Sequence, residues 1–477
     1  MSKRFYITTP IYYVNDRPHV GTAYTTIAAD VVARWHRQRG DEVFFLTGTD
    51  EHGAKAAESA AKAGKSPEEF TAEIAQLFQL AWKNLNIKYD DFIRTTEKRH
   101  ARSVEKFMQL LKDNDAIYKG TYEGLYCVGC EKFITEKELV DGKCPLHNRV
   151  PEKIKEKNYF FRLTKYLDTV RRLIETDEIV IEPVERKKEA LGLFQQGLED
   201  FSVSREKVKW GIPLPFDSKQ VIYVWVEALQ NYVSAIGYGD DIDRFHRWWP
   251  VDVQLMAKDI LKFHAIYWPA MLLAVGEKAP KKEFIHGFFS INGKKMGKSL
   301  GNTIDPNDMV EKFGSDGARY LLLSQFPFGQ DGDIQESRFV EKYNADLANG
   351  LGNLVSRTAN LMEKYAVENS MTDPGIASDK IEEIESAIQE LSLENALKKI
   401  FQLIAEVNKY LDAESPWKMD DSQAEKRAEV LRDCAARVRR IARLVYPFLP
   451  IASRRIERQF SESLVKKEDP LFPRIQA

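Results

Sequence analysis

The segment RFYITTPIYYVNDRPHVGTAYTTIAADVVARWHRQRGDEVFFLTGTDEHG, residues 4–53, decides the fold. Residues 4–9 are rich in β-forming side chains, residues 21–40 repeat apolar side chains at helical spacing, and Val43–Leu46 is apolar again. A strand, a helix and a second strand in this order are typical of a parallel α/β unit. We therefore predict an α/β protein built on a parallel sheet.

The composition indicates a globular protein of several domains. The chain has 477 residues, of which 43% are hydrophobic and 11% aromatic, and domains usually hold about 100–200 residues. The longest apolar run, around Ala265–Val275, is broken by Tyr and Pro and is shorter than the ~20 residues that span a bilayer. The N-terminus does not resemble a signal peptide. We expect a cytoplasmic protein with no membrane partner.

The charges nearly balance, with 70 Lys and Arg against 72 Asp and Glu. This balance excludes a protein coated in positive charge, but a local basic patch can still bind nucleic acid. Lysines and glycines crowd together in FFSINGKKMGKSLGN, residues 288–302, so this stretch is a candidate site for an anionic ligand.

The cysteines predict a metal site. Cys127-x-x-Cys130 and Cys144-x-x-His147 form two pairs of ligands, and they include three of the four cysteines in the chain. Zinc binds such ligands in a tetrahedron, and a complete set of four leaves no position open for a substrate. We expect one structural Zn²⁺, with scattered loop cysteines as the alternative. Cys434 lies on an apolar helical stripe and is expected in the core.

Two short motifs are candidate phosphate sites. HVGT, residues 19–22, stands where the first strand passes into the first long helix, and helix N-termini bind anions through backbone N–H groups. KMGKS, residues 295–299, follows the last strand of the α/β region, and its two ammonium groups can close over a triphosphate. Taken alone, the first motif is better explained by a helix cap or a surface residue, and the second by a solvated charged turn.

The order of the motifs carries more information than either one. HVGT on the first βα unit, TGTDEHG and KDILKFH in the middle, and KMGKS after the last strand resemble the HIGH and KMSKS signatures of class I aminoacyl-tRNA synthetases. The words TPIYYVNDRPHVG, FFLTGTDEHG, YVWVEAL, KDILKFHAIYWPAML and HGFF-x-INGKKM are similar to those of methionyl-tRNA synthetases with a single zinc knuckle. The resemblance runs from Phe5 to at least Pro450.

Two residues depart from the family pattern. Thr22 stands where the first signature usually has its second His, and Gly297 stands where the second signature usually has Ser. These departures keep one alternative open, a catalytically weakened paralogue that still binds tRNA. A small-molecule ligase or nucleotidyltransferase on the same fold is a further alternative, but it would leave the residues that match tRNA-reading positions without a purpose.

The resemblance implies a methionine–tRNA ligase that forms methionyl-adenylate from L-methionine and ATP, releases pyrophosphate and charges tRNA(Met), initiator tRNA included. Mg²⁺ is expected to accompany ATP. The residues matched to catalysis are His19, Gly21, Lys295 and Lys298. The positions matched to ATP binding are His19, Gly21, Thr22, Asp259, His286, Gly287, Lys295, Met296, Lys298 and Ser299.

The resemblance also implies a methionine pocket. Its positions are Ile11, Tyr13, Asp50, Val224, Trp225, Ala228, Leu229, Tyr232, Ile260 and His264. Asp50 is expected to take the substrate ammonium. A thioether packs well against aromatic edges, and Tyr232 and His264 are expected to offer it weak donors as well. From the residues alone, ordinary core packing is the favoured explanation of Trp225, Tyr232 and Ile260.

The last part of the chain is predicted to be a helical bundle that reads the anticodon. Its apolar stripes are Tyr343, Leu347, Leu351, Leu354 and Leu361, and Leu431, Cys434, Val438, Ile441 and Val445. Asn353 and Arg357 share a helix face, and Pro416-Trp417 shows an aromatic face on which a base can stack. These four residues match the anticodon-binding positions of the family.

The resulting fold class is a Rossmann-type parallel sheet with a zinc-bearing insertion, followed by an all-α anticodon-binding domain. The predicted segments are two halves of the catalytic domain at 1–117 and 221–285, the insertion at 118–220, the KMSKS and stem-contact region at 286–335, and the helical domain at 336–477. Little chain follows Pro450, which leaves no room for an appended dimerisation domain, and a monomer is expected.

Overall fold

The computed structural model describes residues 3–145, 148–296, 302–369, 376 and 378–476. Its contacts divide the chain into two compact units. Unit 1 comprises Met1–Pro18, Gly40–Leu80 and Lys88–His286, and unit 2 comprises His19–Arg39, Ala81–Ile87 and Gly287–Ala477. Each unit therefore combines stretches that are distant in the sequence.

The strands are numbered along the chain. They are β1 Arg4–Thr8, β2 Tyr12–Tyr13, β3 Glu42–Asp50, β4 Asp91–Arg94, β5 Ile117–Cys127, β6 Lys132–Ile134, β7 Glu152–Phe161, β8 Val180–Glu182, β9 Phe201–Ser202, β10 Ser204–Arg205, β11 Pro213–Leu214, β12 Asp217–Ile222, β13 Val253–Ala257, β14 Lys282–His286, β15 Phe289–Ile291, β16 Lys294–Lys295 and β17 Gly332–Ile334.

The α-helices are numbered in the same way. They are α1 Val20–Gln38, α2 Ala54–Lys62, α3 Pro67–Asn84, α4 Lys98–Asp113, α5 Leu167–Glu175, α6 Val184–Phe194, α7 Val224–Leu229, α8 Asn231–Ser234, α9 Ile242–Trp248, α10 Trp268–Ala274, α11 Pro306–Leu323, α12 Phe339–Lys342, α13 Asn353–Lys364, α14 Ser378–Gln389, α15 Leu393–Glu414, α16 Ala424–Val445 and α17 Pro450–Gln459. Short π-helical segments at Phe263–Tyr267 and Tyr343–Gly352 precede α10 and α13.

A parallel sheet forms the centre of unit 1 and confirms the predicted fold class. Its strands lie in the order β2-β3-β1-β13-β14-β8, with β4 also paired to β3, and every pair is parallel. Ile7 of β1 lies opposite Phe45 of β3, and both side chains are fully buried, as expected for strands covered on both faces. The predicted strand–helix–strand of residues 4–53 is β1, α1 and β3.

Three short strands of this sheet, β2, β4 and β8, were not predicted. Residues 62–114 have a mostly helical pattern, yet β4 interrupts them and pairs with β3 from Leu46 to Thr49. β4 has only four residues, DFIR, and two of them are buried. A segment this short has no periodicity to detect, so only the neighbouring strand reveals it.

The insertion of unit 1 contains a second, four-stranded sheet in the order β6-β5-β7-β9. The sequence predicts short strands here, but β5 and β7 are 11 and 10 residues long and pair antiparallel over ten positions. Exposed side chains alternate with less exposed ones along most of β5 and β7, because one face of this sheet is exposed to solvent. Cys127 ends β5 and begins the turn that leads to β6.

Unit 2 is mainly helical, and both predicted apolar stripes are buried in it. Arg319 of α11 is fully buried and pairs with Asp30 of α1, with Nη1 at 2.7 Å from Oδ2. The same guanidinium donates to the carbonyl oxygens of Pro447 and Phe448, each at 2.8 Å, in the turn between α16 and α17. A buried ion pair of this kind is favourable when its remaining N–H groups find acceptors, as they do here.

No helix in the described part of the chain is both long and apolar enough to cross a membrane.

A row of polar side chains crosses the middle of the parallel sheet. Thr8 pairs with Gln254 and Gln254 with Glu283, and all three residues are fully buried. Among the described residues, none provides a hydrogen-bond partner for the side-chain oxygens and nitrogen of this row. Burial raises the pKa of Glu283 from its usual 4.5 to about 8. Glu283 is therefore held protonated at neutral pH.

We predict that Glu283→Gln makes the protein less sensitive to alkaline pH. Because the pKa of Glu283 is higher in the folded than in the unfolded state, folding takes up a proton above pH 4.5, and stability falls until the pH passes about 8. Glutamine removes this loss. Thermal unfolding between pH 5 and 9 should show the variant gaining stability relative to the parent as the pH rises. Glu123→Gln, at an exposed carboxylate, is the control, and parallel curves for all three proteins would contradict the prediction.

Candidate functional site

A cavity of about 280 Å³ lies at the carboxyl ends of the parallel strands of unit 1. Residues 10–13 follow β1, Asp50 ends β3, and residues 259–264 follow β13. The chain runs from β1 to its neighbours on opposite sides, β3 and β13, and such a point is where open α/β sheets bind ligands. All ten residues assigned to the methionine pocket line this cavity, together with Asp259.

The apolar wall of the cavity is made of stacked aromatic rings. The ring of Trp225 lies on that of Phe263, with centroids 4.1 Å apart and planes 11° apart. The indole Nε1 of Trp225 donates to the carbonyl oxygen of Cys130 at 3.3 Å, which fixes the orientation of the ring. A flat, oriented aromatic surface of this kind is suited to a polarizable thioether.

The polar wall is a hydrogen-bonded pair, Tyr232 and His264. The hydroxyl of Tyr232 lies 2.8 Å from His264 Nε2, and His264 Nδ1 lies 3.0 Å from the carbonyl oxygen of Ile260. A carbonyl accepts only, so Nδ1 carries the ring proton and Nε2 accepts from Tyr232. Burial lowers the pKa of His264 to about 4 and keeps the ring neutral. The hydroxyl proton of Tyr232 and the Nδ1 proton of His264 are thus both used in hydrogen bonds within the protein. From the sequence, we instead expected them to act as weak donors to the ligand sulfur.

Asp50 places a carboxyl group in the wall of the cavity. Burial raises the pKa of this carboxyl well above its usual range, and the nearby charges of Glu227 and Glu131 raise it further. Its Oδ1 atom is buried and finds no hydrogen-bond partner among the described residues. A carboxylate placed in this way is stabilised by a cationic ligand, and an ammonium group is the obvious one for a site of this size.

A buried charged cluster behind Asp50 was not predicted. Glu227 is fully buried, with Oε1 at 2.9 Å from His52 Nδ1 and Oε2 at 3.6 Å from His100 Nε2. Burial opposes the ionisation of Glu227, but the charges and hydrogen bonds of the two histidines lower its pKa. Burial lowers the pKa of His52, whereas the charge of Glu227 and its hydrogen bond raise it. The pKa of His52 is raised overall. The signal available in the sequence was an acidic residue, Glu227, in the otherwise apolar stretch YVWVEAL.

The cysteines form one cluster in the segment 127–144, which we call the knuckle. The sulfur atoms of Cys127, Cys130 and Cys144 all lie within 4.8 Å of one another. Burial and the neighbouring Cys144 sulfur raise the pKa of the Cys130 thiol. His147, the fourth predicted ligand, lies outside the described residues. The three sulfurs can hold one metal ion, whereas Cys434 is buried in α16, as predicted for a core residue.

The HVGT motif forms the N-terminal cap of α1 in unit 2. His19 Nδ1 accepts from the backbone N–H of Gly21 at 3.1 Å, which places the proton of the neutral ring on Nε2. The hydroxyl of Thr22 donates to the carbonyl oxygen of His19 at 2.8 Å and accepts from its N–H at 3.2 Å. Thr22 therefore closes a capping box. A Cβ on Gly21 would lie 2.8 Å from Met296 Cε and 2.9 Å from His19 Cε1, so a side chain here would displace these groups.

The second signature is described only in part. Met296 is described, as is the backbone of Lys295, which pairs with Ser290 in β15. The side chain of Lys295 and all of Gly297, Lys298 and Ser299 lie outside the described residues. Upstream, His286 ends β14, and Gly287 approaches Asp331 so closely that a Cβ would lie 2.4 Å from its backbone nitrogen.

The four predicted anticodon residues lie on helices of unit 2. Asn353 begins α13 and is exposed. The guanidinium of Arg357 lies 5.2 Å from the ring centre of Trp417 and 2.6 Å from the carboxylate of Asp412, which sequence reasoning missed. Pro416 is buried beneath the turn, while Trp417 is 36% exposed. The structure thus presents an oriented indole ring to solvent beside a positive charge.

Two family models match consecutive parts of the chain. One, described as tRNA synthetases class I (M), matches residues 5–150 and 136–359. The other, described as the anticodon binding domain of methionyl tRNA ligase, matches residues 363–471. Together they cover the α/β region and the helical bundle.

Curated proteins and solved structures agree with these matches. The chain is 44% identical over 473 residues to a methionine–tRNA ligase from Thermotoga maritima, covering 96% of this chain and 75% of that protein. It is 43% identical to one from Clostridium acetobutylicum, with 99% and 78% covered. The methionyl-tRNA synthetase of Mycobacterium tuberculosis in complex with methionyl-adenylate superposes with a TM-score of 0.92 at 35% identity, covering 99% of this chain and 100% of the other.

Proposed function

This chain belongs to the class I methionyl-tRNA synthetases, and we propose that the cavity of unit 1 is its methionine site. The chain acts as a methionine–tRNA ligase: it activates L-methionine with ATP, releases pyrophosphate and transfers methionine to tRNA(Met). The comparisons give no support to the alternative of a weakened tRNA-binding paralogue. The observation that carries the proposed site is the buried, unpartnered Oδ1 atom of Asp50 in an aromatic cavity.

In the proposed mode of binding, the substrate ammonium pairs with Asp50 and the thioether lies against the rings of Trp225 and Phe263. The neutral pair Tyr232 and His264 fixes the polar wall, so a longer or branched side chain meets a surface that cannot rearrange without breaking hydrogen bonds. Removing one methylene from the ligand costs only about 1–3 kcal/mol in an apolar pocket. Discrimination against homocysteine is therefore expected to be limited at the binding step.

The chemistry needs no nucleophile from the protein. The substrate carboxylate attacks the α-phosphorus of ATP, the bond to pyrophosphate breaks, and catalysis consists of positioning and charge stabilisation. We assign the binding of ATP and of the leaving pyrophosphate to the signature residues, with His19 and Gly21 at the positive end of α1 and Lys295 and Lys298 as the cations. Mg²⁺ that accompanies ATP would neutralise further charge on the phosphates.

The knuckle is proposed to hold one Zn²⁺. Three thiols that converge within 4.8 Å are the soft donors that zinc prefers. His147 is the proposed fourth ligand. A set of three Cys and one His leaves no coordination position for a substrate, so the metal would fix the fold of the knuckle.

Trp417, Arg357 and Asn353 are proposed to read the anticodon. The exposed indole can stack on a base, and the guanidinium beside it supplies charge for the backbone. Charging of initiator tRNA, a monomeric state and a cytoplasmic location remain predictions made from the sequence.

We predict that Asp50→Asn raises the KM for methionine by at least about tenfold, because the amide keeps the shape of the carboxylate but loses its charge. The KM for ATP should change little. In the parent protein, the methionine KM should also rise as the pH falls through the raised pKa of Asp50, since the protonated acid cannot pair with the ammonium. ATP–pyrophosphate exchange with methionine measures all three quantities. If Asp50→Asn still showed the rise of the methionine KM at low pH seen in the parent, the assignment of Asp50 to the substrate ammonium would be contradicted.

We predict that Trp417→Ala weakens tRNA(Met) binding and leaves ATP–pyrophosphate exchange unchanged. Loss of one stacked base costs about 1–3 kcal/mol. Leu464→Ala, which truncates another exposed apolar side chain of unit 2, is the control and should alter neither reaction. Equal losses in tRNA binding and in exchange by Trp417→Ala would mean that Trp417 supports the fold rather than the anticodon.

We predict about one zinc ion per chain after purification without chelators. Cys130→Ser should lower the zinc content measured by mass spectrometry, because a hydroxyl is a poor ligand for zinc. Cys434→Ser changes a buried cysteine outside the knuckle and should keep the full content. Full retention of zinc by Cys130→Ser would exclude the knuckle as the metal site.

A further inference from the structure

We propose that Glu131 is a positioning residue for methionine, which holds Tyr13 and the loop after Asp50 in place from the knuckle. The inference rests on the proposed methionine site. Glu131 follows the metal-ligand candidate Cys130 directly, is 4% exposed, and adopts a left-handed backbone with φ of 51°. This turn directs its side chain away from the cysteines and towards residues of β2 and α2.

The carboxylate of Glu131 accepts three hydrogen bonds from different segments. Oε1 accepts from the backbone N–H of Lys55 at 2.6 Å and from the hydroxyl of Tyr13 at 3.2 Å. Oε2 accepts from the hydroxyl of Tyr126. An ionised carboxylate can satisfy all three donors at once, whereas an amide has one accepting oxygen and must leave a buried donor unpaired.

Glu131 and Tyr13 together cap the N-terminus of α2. The first residues of a helix have backbone N–H groups without partners inside the helix, and a side chain before the helix usually accepts from them. α2 is preceded by Gly53, which has no side chain to do so. Glu131 accepts from Lys55 instead, and the hydroxyl of Tyr13 accepts from Ala56 at 3.0 Å. A negative charge is also favoured at this end of the helix.

Gly53 shows how closely this contact fits. Its φ is 102°, and a Cβ there would lie 2.8 Å from Glu131 Oε1 and 3.1 Å from the hydroxyl oxygen of Tyr13. Gly53 comes three residues after Asp50, so the carboxylate of Glu131 limits the positions open to the Asp50 loop. The fold leaves no room for a side chain that could replace it as the cap.

The backbone of the same turn holds the opposite wall of the cavity. The hydroxyl of Tyr223 donates to the carbonyl oxygen of Glu131 at 2.5 Å, and Trp225 donates to that of Cys130. One turn therefore fixes the aromatic wall through its carbonyls and the ammonium side through its carboxylate. Displacing the carboxylate should move Tyr13 and Asp50 relative to Trp225, and a shift of this kind weakens binding without a lost contact to the ligand.

The test is ATP–pyrophosphate exchange by Glu131→Gln, with Tyr13→Phe as a second variant that keeps the ring and removes the O–H. We expect Glu131→Gln to raise the KM for methionine at least about fivefold, with the KM for ATP and the metal content within about twofold of the parent. Glu123→Gln, an exposed carboxylate on β5, is the matched control and should change none of these quantities. The double variant should show less than the product of the two single effects, because both remove the same hydrogen bond.

Each result has a defined meaning. If Glu131→Gln leaves the methionine KM unchanged while Asp50→Asn raises it, the positioning role is wrong and the proposed site stands. If neither variant raises it, the proposed site is wrong too. A loss of metal and of thermal stability, with both KM values raised together, would make Glu131 a structural residue and overturn the proposal. Multiplicative effects in the double variant would also overturn it, since Tyr13 and Glu131 would then act independently.

Discussion

The parallel pairing of β1 with β3 on one side and β13 on the other determines where the chemistry can occur. Parallel strands bring their carboxyl ends to the same edge, so residues 10–13, Asp50 and residues 259–264 meet although more than two hundred positions separate them. A shift of one residue in either pairing would turn every side chain of the shifted strand to the opposite face. The cavity therefore depends on the register of three strands before it depends on any one of its side chains.

The carboxyl groups inside unit 1 differ in how far their oxygens are paired within the protein. Three carboxylates are buried at or near the cavity, and each would be costly there without partners. Two histidines accompany Glu227, and three donors converge on Glu131. Asp50 Oδ1 has no hydrogen-bond partner among the described residues, and Glu227 Oε2 has none either but lies 3.6 Å from His100 Nε2. The pKa of Asp50 is raised because burial and the nearby carboxylates disfavour its charged form. A ligand with an ammonium group would stabilise that charged form.

Sequence reasoning found the residues that line the cavity but not those that hold them. All ten predicted pocket positions line one cavity. They could be predicted because the resemblance to the family assigns each position individually. The roles of Glu227 and Glu131 were not predicted. Glu227 is a single acid in a segment that was interpreted as an apolar helix, and Glu131 is a single acid in a segment that was interpreted as a metal knuckle. β4 was not predicted because four residues are too few to show a periodic pattern. In each case the information lies in a partner far along the chain, such as Tyr13 for Glu131, and a linear pattern cannot contain it.

The signature helix of unit 2 is subject to a constraint of the same kind. α1 carries His19 at its N-terminal cap, and near its middle Asp30 shares a buried ion pair with Arg319 of α11. The same guanidinium bonds the turn between α16 and α17, in the part of the chain that matches the anticodon-binding model. Asp30 also pairs with Arg34 of its own helix at 2.6 Å, so loss of Asp30 would leave two buried guanidinium groups without this carboxylate, which is far more costly than the pair itself is stabilising. Gln38 of α1 donates in addition to the carbonyl oxygen of Arg443 in α16 at 2.9 Å. The helix that begins after His19 and the helices matched by the anticodon-binding model therefore cannot repack independently, and Arg319 is one of the side chains that join them.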